Sequence, residues 1–336
     1  MFVSVVIPCR NEENYISLCV NSVLNNNYPQ ELTEIIIVDG MSDDNTLNII
    51  KKFTENHNNI HLIPNDEKTT QWALNMGIKK SRGDVIIILG AHAELGENYI
   101  YGCVEFLKHN DEVACVGGLV ENVFDNENSR IIGLAMSSKF GVGNVHFRTA
   151  SKSAYVDTVA FGAYKREIFD KIGLFDEDLV RNQDDEFNYR ITKNGFKIYL
   201  NAELKLRYFV RSSFQKLFNQ YFQYGYWKVY VNKKHKTITT LRQIVPSLFV
   251  AFLVLGFIAS YTGIYMRFLY RLMIFLYIVL SVRSGLYKVD KISELLKFMF
   301  SCFILHISYG SGYLLGIFDF LIMKKKPSSF TKKLTR

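Results

Sequence analysis

A run of 23 residues without a charged side chain, Ile244–Met266, sets the strongest limit on how this chain can fold. At a rise of about 1.5 Å per residue, a helix of this length can cross a hydrocarbon core of about 30 Å. Two more apolar stretches follow, Phe268–Val282 and Phe298–Met323. Buried core helices of a soluble protein are the alternative, but the first run is too long and too apolar for them. The sequence therefore predicts a membrane region at residues 244–323, with two to four segments.

Basic residues flank this region on both sides. Before it lie Lys228, Lys233, Lys234, Lys236 and Arg242, and after it lie Lys324, Lys325, Lys326, Lys332, Lys333 and Arg336. Because Lys and Arg concentrate in cytoplasmic loops, both flanks are expected in the cytoplasm. Three full crossings would instead place the basic tail at residues 324–336 outside. Unless the tail departs from the rule, one stretch is re-entrant or interfacial. The candidate is Phe298–Met323, where Tyr309-Gly310-Ser311-Gly312 interrupts the helical pattern.

The charge of the chain divides near residue 210. Residues 1–209 contain 21 Lys and Arg against 29 Asp and Glu, whereas residues 210–336 contain 19 against 3. The acidic front half argues against a nucleic-acid groove, and basic charge beside apolar runs indicates an anionic membrane surface. The five cysteines form no C-x-x-C pair, which excludes a zinc ribbon and suggests a reducing compartment. We expect one domain at residues 1–210 and an interfacial aromatic-basic segment at 211–243, before the membrane region.

The front half alternates between strand and helix patterns. Apolar, β-branched runs predict strands at Ser4–Ile7, Glu34–Val38, Ile60–Ile63 and Asp84–Leu89. Apolar residues at helical spacing predict helices at Asn14–Leu24, Thr46–Phe53 and Thr70–Lys80. Such alternation is typical of an α/β fold, with a mostly parallel sheet and helices on both faces. The first apolar run is too short for a secretory signal, so this half is expected to stay in the cytoplasm.

Ligands of such a sheet bind beyond the carboxyl ends of its strands. Those ends are Pro8–Glu12, Asp39–Asp44 and Gly90–Glu94. Asp39 directly follows a strand, and its carboxylate can accept hydrogen bonds from a uracil N–H or a ribose hydroxyl. A turn followed by a helix cap is the structural alternative there. His92 can offer an imidazole to a divalent cation and Glu94 a carboxylate, although a histidine at a strand end is often an ordinary structural residue.

Three carboxylates, Asp184, Asp185 and Glu186, open a predicted helix that ends at Asn194-Gly195. Carboxylates are favourable at a helix N-terminus because the helix dipole is positive there, so capping alone can explain the cluster. Like charges also make ionisation of one another less favourable, which suits a general base that deprotonates an attacking hydroxyl. The cluster therefore predicts either a base at the edge of a cleft or a capped helix.

The segment Gln220–Lys228 is rich in aromatic residues and precedes the first apolar run. Aromatic side chains concentrate at membrane interfaces, and their faces also bind sugar rings. We expect an interfacial helix here, with Gln223 and Trp227 as candidates for the acceptor side of a site. The chain contains neither a Walker loop nor a glycine-rich dinucleotide fingerprint.

Taken in order, these motifs resemble those of the family 2 inverting glycosyltransferases. They are Val3–Glu13, which ends in Pro-Cys-Arg-Asn-Glu-Glu, then Val38–Thr46, Gly83–His92 and the run from Asp184 to Arg190. The resemblance covers roughly residues 1–230. The Arg-Asn-Glu-Glu start, Gly90–Ala93, Phe161–Tyr164 and His306–Gly312 are most similar to the membrane-bound succinoglycan and exopolysaccharide branch.

This resemblance implies a GT-A fold, a nucleotide-sugar donor, often UDP-linked, and a divalent cation such as Mn²⁺ or Mg²⁺. The family's binding residues carry over to Pro8, Arg10, Glu12, Asp39 and Ala91 around the nucleotide sugar, and to Gly162 and Ala163 at the sugar and acceptor. Asp39 would hold the uracil or ribose, and Asp185 would lie on the acceptor side. Asp184 would be the catalytic base, deprotonating an acceptor hydroxyl that attacks opposite the leaving diphosphate.

Two positions depart from the family pattern. Gly90-Ala91-His92 replaces the metal-binding Asp-x-Asp motif, which leaves His92 as the candidate metal ligand, and Gln183 replaces a Glu before the base. The missing carboxylate motivates one alternative, a catalytically inactive sugar-nucleotide-binding subunit. A processive polysaccharide synthase is another, since Gln220–Trp227 is faintly similar to the Gln-x-x-Arg-Trp motif. The main prediction is an inverting glycosyltransferase in the cell membrane that faces the cytoplasm and extends a lipid-linked polyprenyl diphosphate acceptor.

Overall fold

The computed structural model describes residues 1–143, 147, 152–210, 212–239 and 241–326. The chain forms two compact units. The first contains Met1–Val123 and His146–Phe209, and the second contains Phe124–Val145 and Val210–Arg336. Residues 124–145 thus belong with the apolar C-terminal helices, whereas the sequence places them in the front domain. Residues 327–336 of the predicted basic tail lie outside the described residues.

The described residues of the first unit contain nine strands. They are β1 (Val3–Cys9), β2 (Thr33–Asp39), β3 (Ile60–Pro64), β4 (Val85–Ile88), β5 (Ala93–Leu95), β6 (Val113–Val123), β7 (Ala154–Val156), β8 (Ala163–Lys165) and β9 (Lys197–Phe209). The helices of the first unit before β6 are α1 (Ile16–Leu24), α2 (Thr46–Asn56), α3 (Thr70–Lys80) and α4 (Tyr99–Lys108). All seven elements predicted between residues 4 and 89 are present, with ends that differ by at most three residues.

The remaining helices follow in chain order. They are α5 (Glu127–Met136) and α6 (Lys139–Val142), then α7 (Arg166–Ile172) and α8 (Gln183–Lys193), then α9 (Phe214–His235), α10 (Val245–Ala259), α11 (Ile264–Leu286) and α12 (Ile292–Gly316). A π-helical turn, Ile317–Ile322, continues α12. Only α7 and α8 of this set belong to the first unit.

The strand order of the sheet is β3-β2-β1-β4-β8-β6-β9-β5, and β7 also pairs with β9. The first four strands are parallel to one another, with Cys9 opposite Asp39 at the carboxyl ends of β1 and β2. Strand β8 is antiparallel to both β4 and β6, and β5 and β7 are antiparallel to β9. The sheet is therefore mixed, and its parallel part is the one that the sequence pattern predicted.

Aromatic side chains anchor α8 to the core of the first unit. The buried Phe187 ring stacks on Phe169 with centroids 5.0 Å apart and lies 4.6 Å from Phe175 and 5.6 Å from Tyr164. Each such pair contributes about 0.5–1.5 kcal/mol beyond the burial of its area. Because Tyr164 belongs to β8, this cluster holds the start of α8 beside the centre of the sheet.

Three helices of the described residues are long and apolar enough to cross a membrane. They are Leu241–Ala259, Ile264–Leu286 and Ile292–Ile322. Composition suggested that the run Ile244–Met266 forms one helix. The structure instead divides this run between α10 and α11. The chain turns after Ala259, where the hydroxyls of Ser260 and Thr262 donate to the carbonyls of Phe257 and Ala259 at 2.6 and 2.7 Å.

The predicted interruption at Tyr309–Gly312 is also wrong. Helix α12 runs unbroken from Ile292 to Gly316. A Cβ on Gly312 would overlap the carbonyl oxygen of Phe222, and one on Gly310 would overlap that of Pro246. These glycines therefore allow close helix packing, which the sequence pattern alone does not distinguish from a break.

Candidate active site

Two loops at the carboxyl ends of β1 and β2 are tied together by hydrogen bonds. The Asn11 N–H donates to Ser42 Oγ at 3.0 Å, and the Asn11 side-chain carbonyl accepts from the Asp43 N–H at 3.0 Å. The Glu12 N–H donates to Thr46 Oγ1 at 2.8 Å. Asn11 has a φ of 55°, a left-handed conformation that Asn tolerates better than most residues. The two loops thus form one surface at the strand ends.

Asp39 organises this surface from the end of β2. Its carboxylate accepts hydrogen bonds from the N–H of Ser42 at 3.1 Å, from the Ser42 hydroxyl, and from the Cys9 thiol at 3.7 Å. Asp39 is 4% exposed. A carboxylate offers about four acceptor positions, so these bonds leave capacity for a ligand. The turn expected at Asp39 is present, and its contact with a nucleotide stays a prediction.

Asp44 has a structural role in the same surface. It accepts hydrogen bonds from the N–H groups of Thr46 at 2.9 Å and Glu13 at 3.3 Å. Partial burial acts to raise the pKa of Asp44, but these hydrogen bonds outweigh it and leave the pKa below its usual value. Asp44 is therefore held as a carboxylate at the start of α2, in agreement with the alternative of a helix cap.

The predicted nucleotide-sugar residues at the end of β1 and just after it differ in how far they are buried. Glu12 is buried, whereas Pro8 and Arg10 are half-buried. The Nε atom of Arg10 is buried and has no hydrogen-bond partner among the described residues. A donor left in this state costs about 1–3 kcal/mol, which a ligand with an acceptor oxygen would recover. Arg10 is therefore suited to bind a phosphate or carbonyl oxygen.

Gly90 and His92 follow β4 at the same edge of the sheet. The Phe161 ring covers Gly90, because a Cβ at this position would lie 2.7 Å from Phe161 Cε1. His92 Nδ1 lies 3.5 Å from Glu12 Oε1, and its ring packs edge-on against Tyr208 with centroids 5.0 Å apart. The structure thus brings together the predicted residues Glu12 and His92.

The three carboxylates at the start of α8 have different surroundings. Asp184 is exposed, and its Oδ1 accepts the Asp185 N–H at 2.9 Å. Asp185 is half-buried. Glu186 is 2% exposed and pairs with Arg190 at 2.9 Å. The three carboxylates are therefore not equivalent. Glu186 forms a buried ion pair, Asp185 is half-buried and Asp184 is exposed.

Asp184 lies one helical turn before Asn188, on the same face of α8. Asn188 donates to Thr158 Oγ1 at 2.8 Å and accepts from the Tyr164 hydroxyl at 3.3 Å. Burial raises the pKa of Tyr164 well above its usual value, and the nearby Cys115 and Asp184 add to this effect. The structure therefore places Asp184 close to β8, which carries the Phe161–Tyr164 motif.

Comparison with known proteins supports one family. The sequence profile of Glycosyl transferase family 2 matches residues 4–173. The chain belongs to glycosyltransferase family 2. A dolichyl N-acetyl-alpha-D-glucosaminyl phosphate 3-beta-D-2,3-diacetamido-2,3-dideoxy-beta-D-glucuronosyltransferase of Methanococcus voltae is 36% identical over 231 residues, 67% of this chain and 72% of that protein. Succinoglycan biosynthesis protein ExoA of Rhizobium meliloti is 26% identical over 244 residues, 72% and 73% of the two chains. The predicted family and enzyme class are confirmed.

Solved structures support the fold of this glycosyltransferase. The mannosyltransferase PcManGT from Pyrobaculum calidifontis, in complex with GDP-Man and Mn²⁺, superimposes with a TM-score of 0.65. The match covers 93% of this chain and 86% of that one, at 16% identity. The predicted GT-A architecture, with apolar helices after it, is thereby confirmed.

The glycosyltransferase does not assemble the acidic metal site that its family resemblance implied. Position 90 has no carboxylate, and the Phe161 ring fills the space beside it. Glu94 pairs with Arg207 at 2.6 Å instead of joining His92. Across the part of the chain that the structure describes, no three His, Cys, Asp or Glu side chains are grouped to hold a metal ion. The residues present do not fit the family's Asp-x-Asp metal site, and His92 stays a candidate ligand, with the Glu12 carboxylate 3.5 Å from its ring.

Three predicted binding residues of the enzyme belong to the packed sheet. Ala91 is 1% exposed and Ala163 is not exposed at all. A Cβ on Gly162 would lie 2.6 Å from Cys115 Sγ, and the Gly162 carbonyl accepts the Ile88 N–H at 3.1 Å. Ala163 is buried in β8, and its place at the sugar and acceptor stays a prediction. Ala91 and Gly162 shape the edge of the sheet through their backbones.

The predicted acceptor-side residues Gln223 and Trp227 lie on α9 in the second unit of the enzyme. Trp227 is fully buried, and its ring lies 5.8–6.2 Å from those of Tyr226, Tyr230 and Phe320. A ring buried in this way cannot stack on a sugar, so the prediction for Trp227 is corrected. Gln223 is half-buried, and its acceptor role stays a prediction.

Sequence analysis missed Asn75, which holds the loop that leads to α8. Asn75 is 2% exposed in α3. Its side-chain amide donates to the Phe175 carbonyl at 2.9 Å, and its side-chain carbonyl accepts the Phe175 N–H at 3.0 Å. A single Asn on the buried face of a helix was the only available signal. It does not indicate which residue the Asn hydrogen-bonds to.

An aromatic wall at the end of β9 was also missed. We use this name for Tyr15, Phe161, Tyr208 and Phe209. Tyr15 and Phe209 have ring centroids 4.8 Å apart, and Phe161 and Tyr208 have centroids 6.2 Å apart. Phe161 has a φ of 50°, which is uncommon for an aromatic residue. Because consecutive residues of a strand point to opposite faces, the wall consists of two separate pairs, and the Phe161–Tyr208 pair is the one beside His92.

Proposed function

We propose that this glycosyltransferase moves a sugar, with inversion, from a nucleotide-sugar donor to a hydroxyl of a lipid-linked glycan. The donor is proposed to be UDP-linked, and the product to be a cell-surface polysaccharide. Two relatives support this proposal by name, since one is a dolichyl phosphate sugar transferase and the other a succinoglycan biosynthesis protein. The relative that is 36% identical spans two thirds of this chain.

The exposed carboxylate of Asp184 is the observation that carries the proposal. Asp184 is the member of its cluster that is open to solvent, and it lies close to β8. As general base it takes the proton of the acceptor hydroxyl while that oxygen bonds to the anomeric carbon. The bond between the anomeric carbon and the diphosphate oxygen breaks on the opposite face, and its electron pair leaves with the nucleoside diphosphate. Attack from one face and departure from the other give inversion.

The donor is proposed to lie against the loops after β1, β2 and β4. Arg10 has a buried N–H without a partner among the described residues, which suits an oxygen of the nucleotide. Asp39 retains acceptor capacity for a base N–H or a ribose hydroxyl. Glu12 orients His92 on the other side. These roles are proposals that rest on the position of each residue at the ligand-binding edge of the sheet.

We also propose that the enzyme uses a divalent cation, for which His92 is the candidate ligand. A solved structure with the same fold contains Mn²⁺. A cation would supply positive charge to the leaving diphosphate, as metal ions do in phosphate chemistry. None of the steps assigned to Asp184, Arg10 and Asp39 passes through it.

The enzyme is proposed to be a multi-pass protein of the cell membrane, with its first unit in the cytoplasm. Three candidate membrane helices support the membrane location. The basic residues on both flanks of these helices support the cytoplasmic side. Nucleotide-sugar donor and lipid-linked acceptor would then meet at the inner surface.

One observation favours a second candidate, a sugar-nucleotide-binding subunit without catalysis. Phe161 closes the position at which the family carries its first metal-binding carboxylate. The exposed Asp184 counts against this candidate, because a pure binding subunit needs no base.

Membranes that contain the full chain should be incubated with labelled nucleotide sugars and extracted lipid carriers, with Mn²⁺ or with EDTA. We expect transfer to the lipid fraction with one donor, and no transfer with Asp184→Asn. The matched control is Asp170→Asn, which removes an exposed carboxylate on α7. UDP binding without transfer from any donor would support the binding subunit instead. A single added sugar would exclude a processive synthase, which makes a ladder of products.

A further inference from the structure

We infer that the hairpin of α10 and α11 is the part of this enzyme that crosses the bilayer, and that α12 lies with α9 in the membrane interface. Both ends of the hairpin then lie on one membrane side. By length and composition alone, α12 qualifies as a third crossing helix. The inference rests on packing within the second unit and does not depend on the reaction.

The three candidate helices differ in how much of their surface other parts of the protein cover. In the most apolar window of each, 11% of the residues are buried in Leu241–Ala259 and 6% in Ile264–Leu286. The corresponding share is 50% for Ile292–Ile322. A helix in contact with lipid keeps its apolar surface exposed in the isolated protein, so the first two segments fit a bilayer. In the third segment, half of the residues in this window are already covered by protein.

The hairpin extends beyond α12. Helix α12 contacts α10 near the start of α10, where Gly310 meets Pro246 and Val250. It contacts α11 just past the middle of α11, where Tyr277 bonds to His306 at 2.8 Å. Towards the tip, Phe252 and Tyr270 pack on each other across the hairpin, with centroids 5.5 Å apart. The segments of 19 and 23 residues measure about 28 and 34 Å as helices, enough to cross.

The tip of the hairpin has the composition of a membrane interface. Tyr261 and Tyr265 are 69% and 86% exposed there. Arg267 and Arg271 follow within the next two turns of α11. A charged side chain at the bilayer centre is costly, whereas Tyr and Arg are favourable at the interface. The tip therefore belongs at the far surface of the bilayer, which a re-entrant hairpin would not reach.

Helices α9 and α12 pack side by side and run in the same direction. Phe214 on α9 meets Phe300 on α12, with centroids 5.3 Å apart, and Tyr230 meets Phe320 at 5.1 Å. Between these pairs, a Cβ on Gly316 would lie 2.7 Å from the Tyr226 carbonyl oxygen. The two helices are thus parallel neighbours over about 24 Å of α9.

Parallel packing excludes α12 as a further crossing. If the hairpin crosses twice, the end of α9 and the start of α12 lie on the same side of the membrane. If α12 also crossed, its chain direction would point away from that side. Because α9 ends on that side, its chain direction would point towards it. The two helices would then be antiparallel, which they are not.

Polar contacts agree with an interfacial position for α12. Glu294 and Lys297 in its first two turns pair with Arg130 and Glu127 of α5, each at 2.7 Å. Helix α9 exposes Lys216 at its start. Charged groups of this kind are accommodated by the interface and not by hydrocarbon. Lys324–Lys326 then lie on the same membrane side as the basic residues before the hairpin. This agrees with the concentration of Lys and Arg on the cytoplasmic side of membrane proteins.

Single introduced cysteines test the arrangement in membranes that contain the full enzyme. Thr262→Cys marks the hairpin tip, Lys288→Cys the loop between α11 and α12, and Lys326→Cys the end of the described chain. Intact cells and inverted vesicles are treated with a membrane-impermeant maleimide. The five native cysteines are buried, so the unaltered enzyme is the blank. Sugar transfer by each variant shows that it is folded.

We expect Thr262→Cys to react on one side of the membrane, and Lys288→Cys and Lys326→Cys to react only on the other. Labelling of Lys326→Cys on the same side as Thr262→Cys, with Lys288→Cys on the opposite side, would show a third crossing and overturn the inference. Labelling of all three on one side would show a re-entrant hairpin and would also overturn it. Tyr261→Cys provides a second position at the tip if Thr262→Cys is inactive.

Discussion

The ring of Phe161 lies directly over Gly90, so that a Cβ at position 90 would be 2.7 Å from Phe161 Cε1. Phe161 thus occupies the space that a carboxylate side chain would need at the first position of the family's metal motif. Glycine at position 90 and the ring of Phe161 therefore form one structural feature, because a side chain at position 90 would meet the ring.

Gly90→Asp should therefore destabilise the enzyme, whereas Gly90→Asp combined with Phe161→Gly should not. In Gly90→Asp alone, the new side chain and the Phe161 ring compete for the same space, which costs about 1–3 kcal/mol. Glycine at 161 removes the ring and also accepts the φ of 50°. We expect a lower Tm for the single variant, and a restored Tm together with Mn²⁺-dependent UDP binding for the double variant. An unchanged Tm for Gly90→Asp would show that Phe161 moves freely.

Asp184→Asn should lower kcat by about 10²–10⁴-fold, the usual range for loss of a general base. Donor binding should change little, because Asp184 belongs to α8 and not to the loops after β1 and β2 that are proposed to hold the nucleotide. Single-turnover kinetics and UDP titration separate the two effects. Asp170→Asn should keep both constants. Full turnover by Asp184→Asn would remove Asp184 from the mechanism.

Asp39→Ala should weaken UDP binding, and Ser42→Ala should weaken it less. Ser42 connects Asp39 to the Asn11 N–H, so its loss loosens the surface without removing the carboxylate. One hydrogen bond is worth about 0.5–1.5 kcal/mol, or roughly three- to tenfold in Kd. Isothermal titration with UDP measures both variants. Equal Kd values for Asp39→Ala and the unaltered enzyme would refute a nucleotide role for Asp39.

Arg190→Met should destabilise the first unit by about 3–5 kcal/mol, since it leaves a buried carboxylate without its partner. Glu186 is 2% exposed, and the Arg190 guanidinium also donates to the Leu174 carbonyl at 2.7 Å. Combining Arg190→Met with Glu186→Leu should recover part of the loss. Thermal unfolding in detergent gives the values for a double-mutant cycle. Lys193→Met, on an exposed position of α8, should stay within about 0.5 kcal/mol of the unaltered protein.

The buried thiols make stability fall at high pH. Burial raises the pKa of Cys9 and Cys19, and the Asp39 carboxylate adds to the effect on Cys9. A raised pKa in the folded state means that the unfolded chain loses these protons first, above about pH 8.5. The contribution of these thiols to the unfolding free energy should therefore be constant below that pH and decrease above it. Cys9→Ser combined with Cys19→Ala should flatten this decrease, and an equally steep decrease would assign it to other groups.

Local sequence patterns predicted much of this enzyme. The β-branched runs Glu34–Val38 and Asp84–Leu89 became β2 and β4, which lie on either side of β1 in the parallel part of the sheet, and the motif around Asp39 became the turn at its edge. Such patterns involve residues that are close in the chain, where propensity and periodicity act directly. The same reasoning could not separate Asp184 from Glu186, because the two differ only in what packs on them.

The sequence by itself determined the family, the order of strands and helices at residues 4–89 and the apolar segments. Tertiary structure alone decided that Phe161 covers Gly90, that Glu94 pairs with Arg207 across 113 residues, and that α9 and α12 run parallel. Composition and periodicity describe one segment at a time. Which segments meet depends on strand register and helix packing, where the free energy of each contact is shared between residues far apart in the chain.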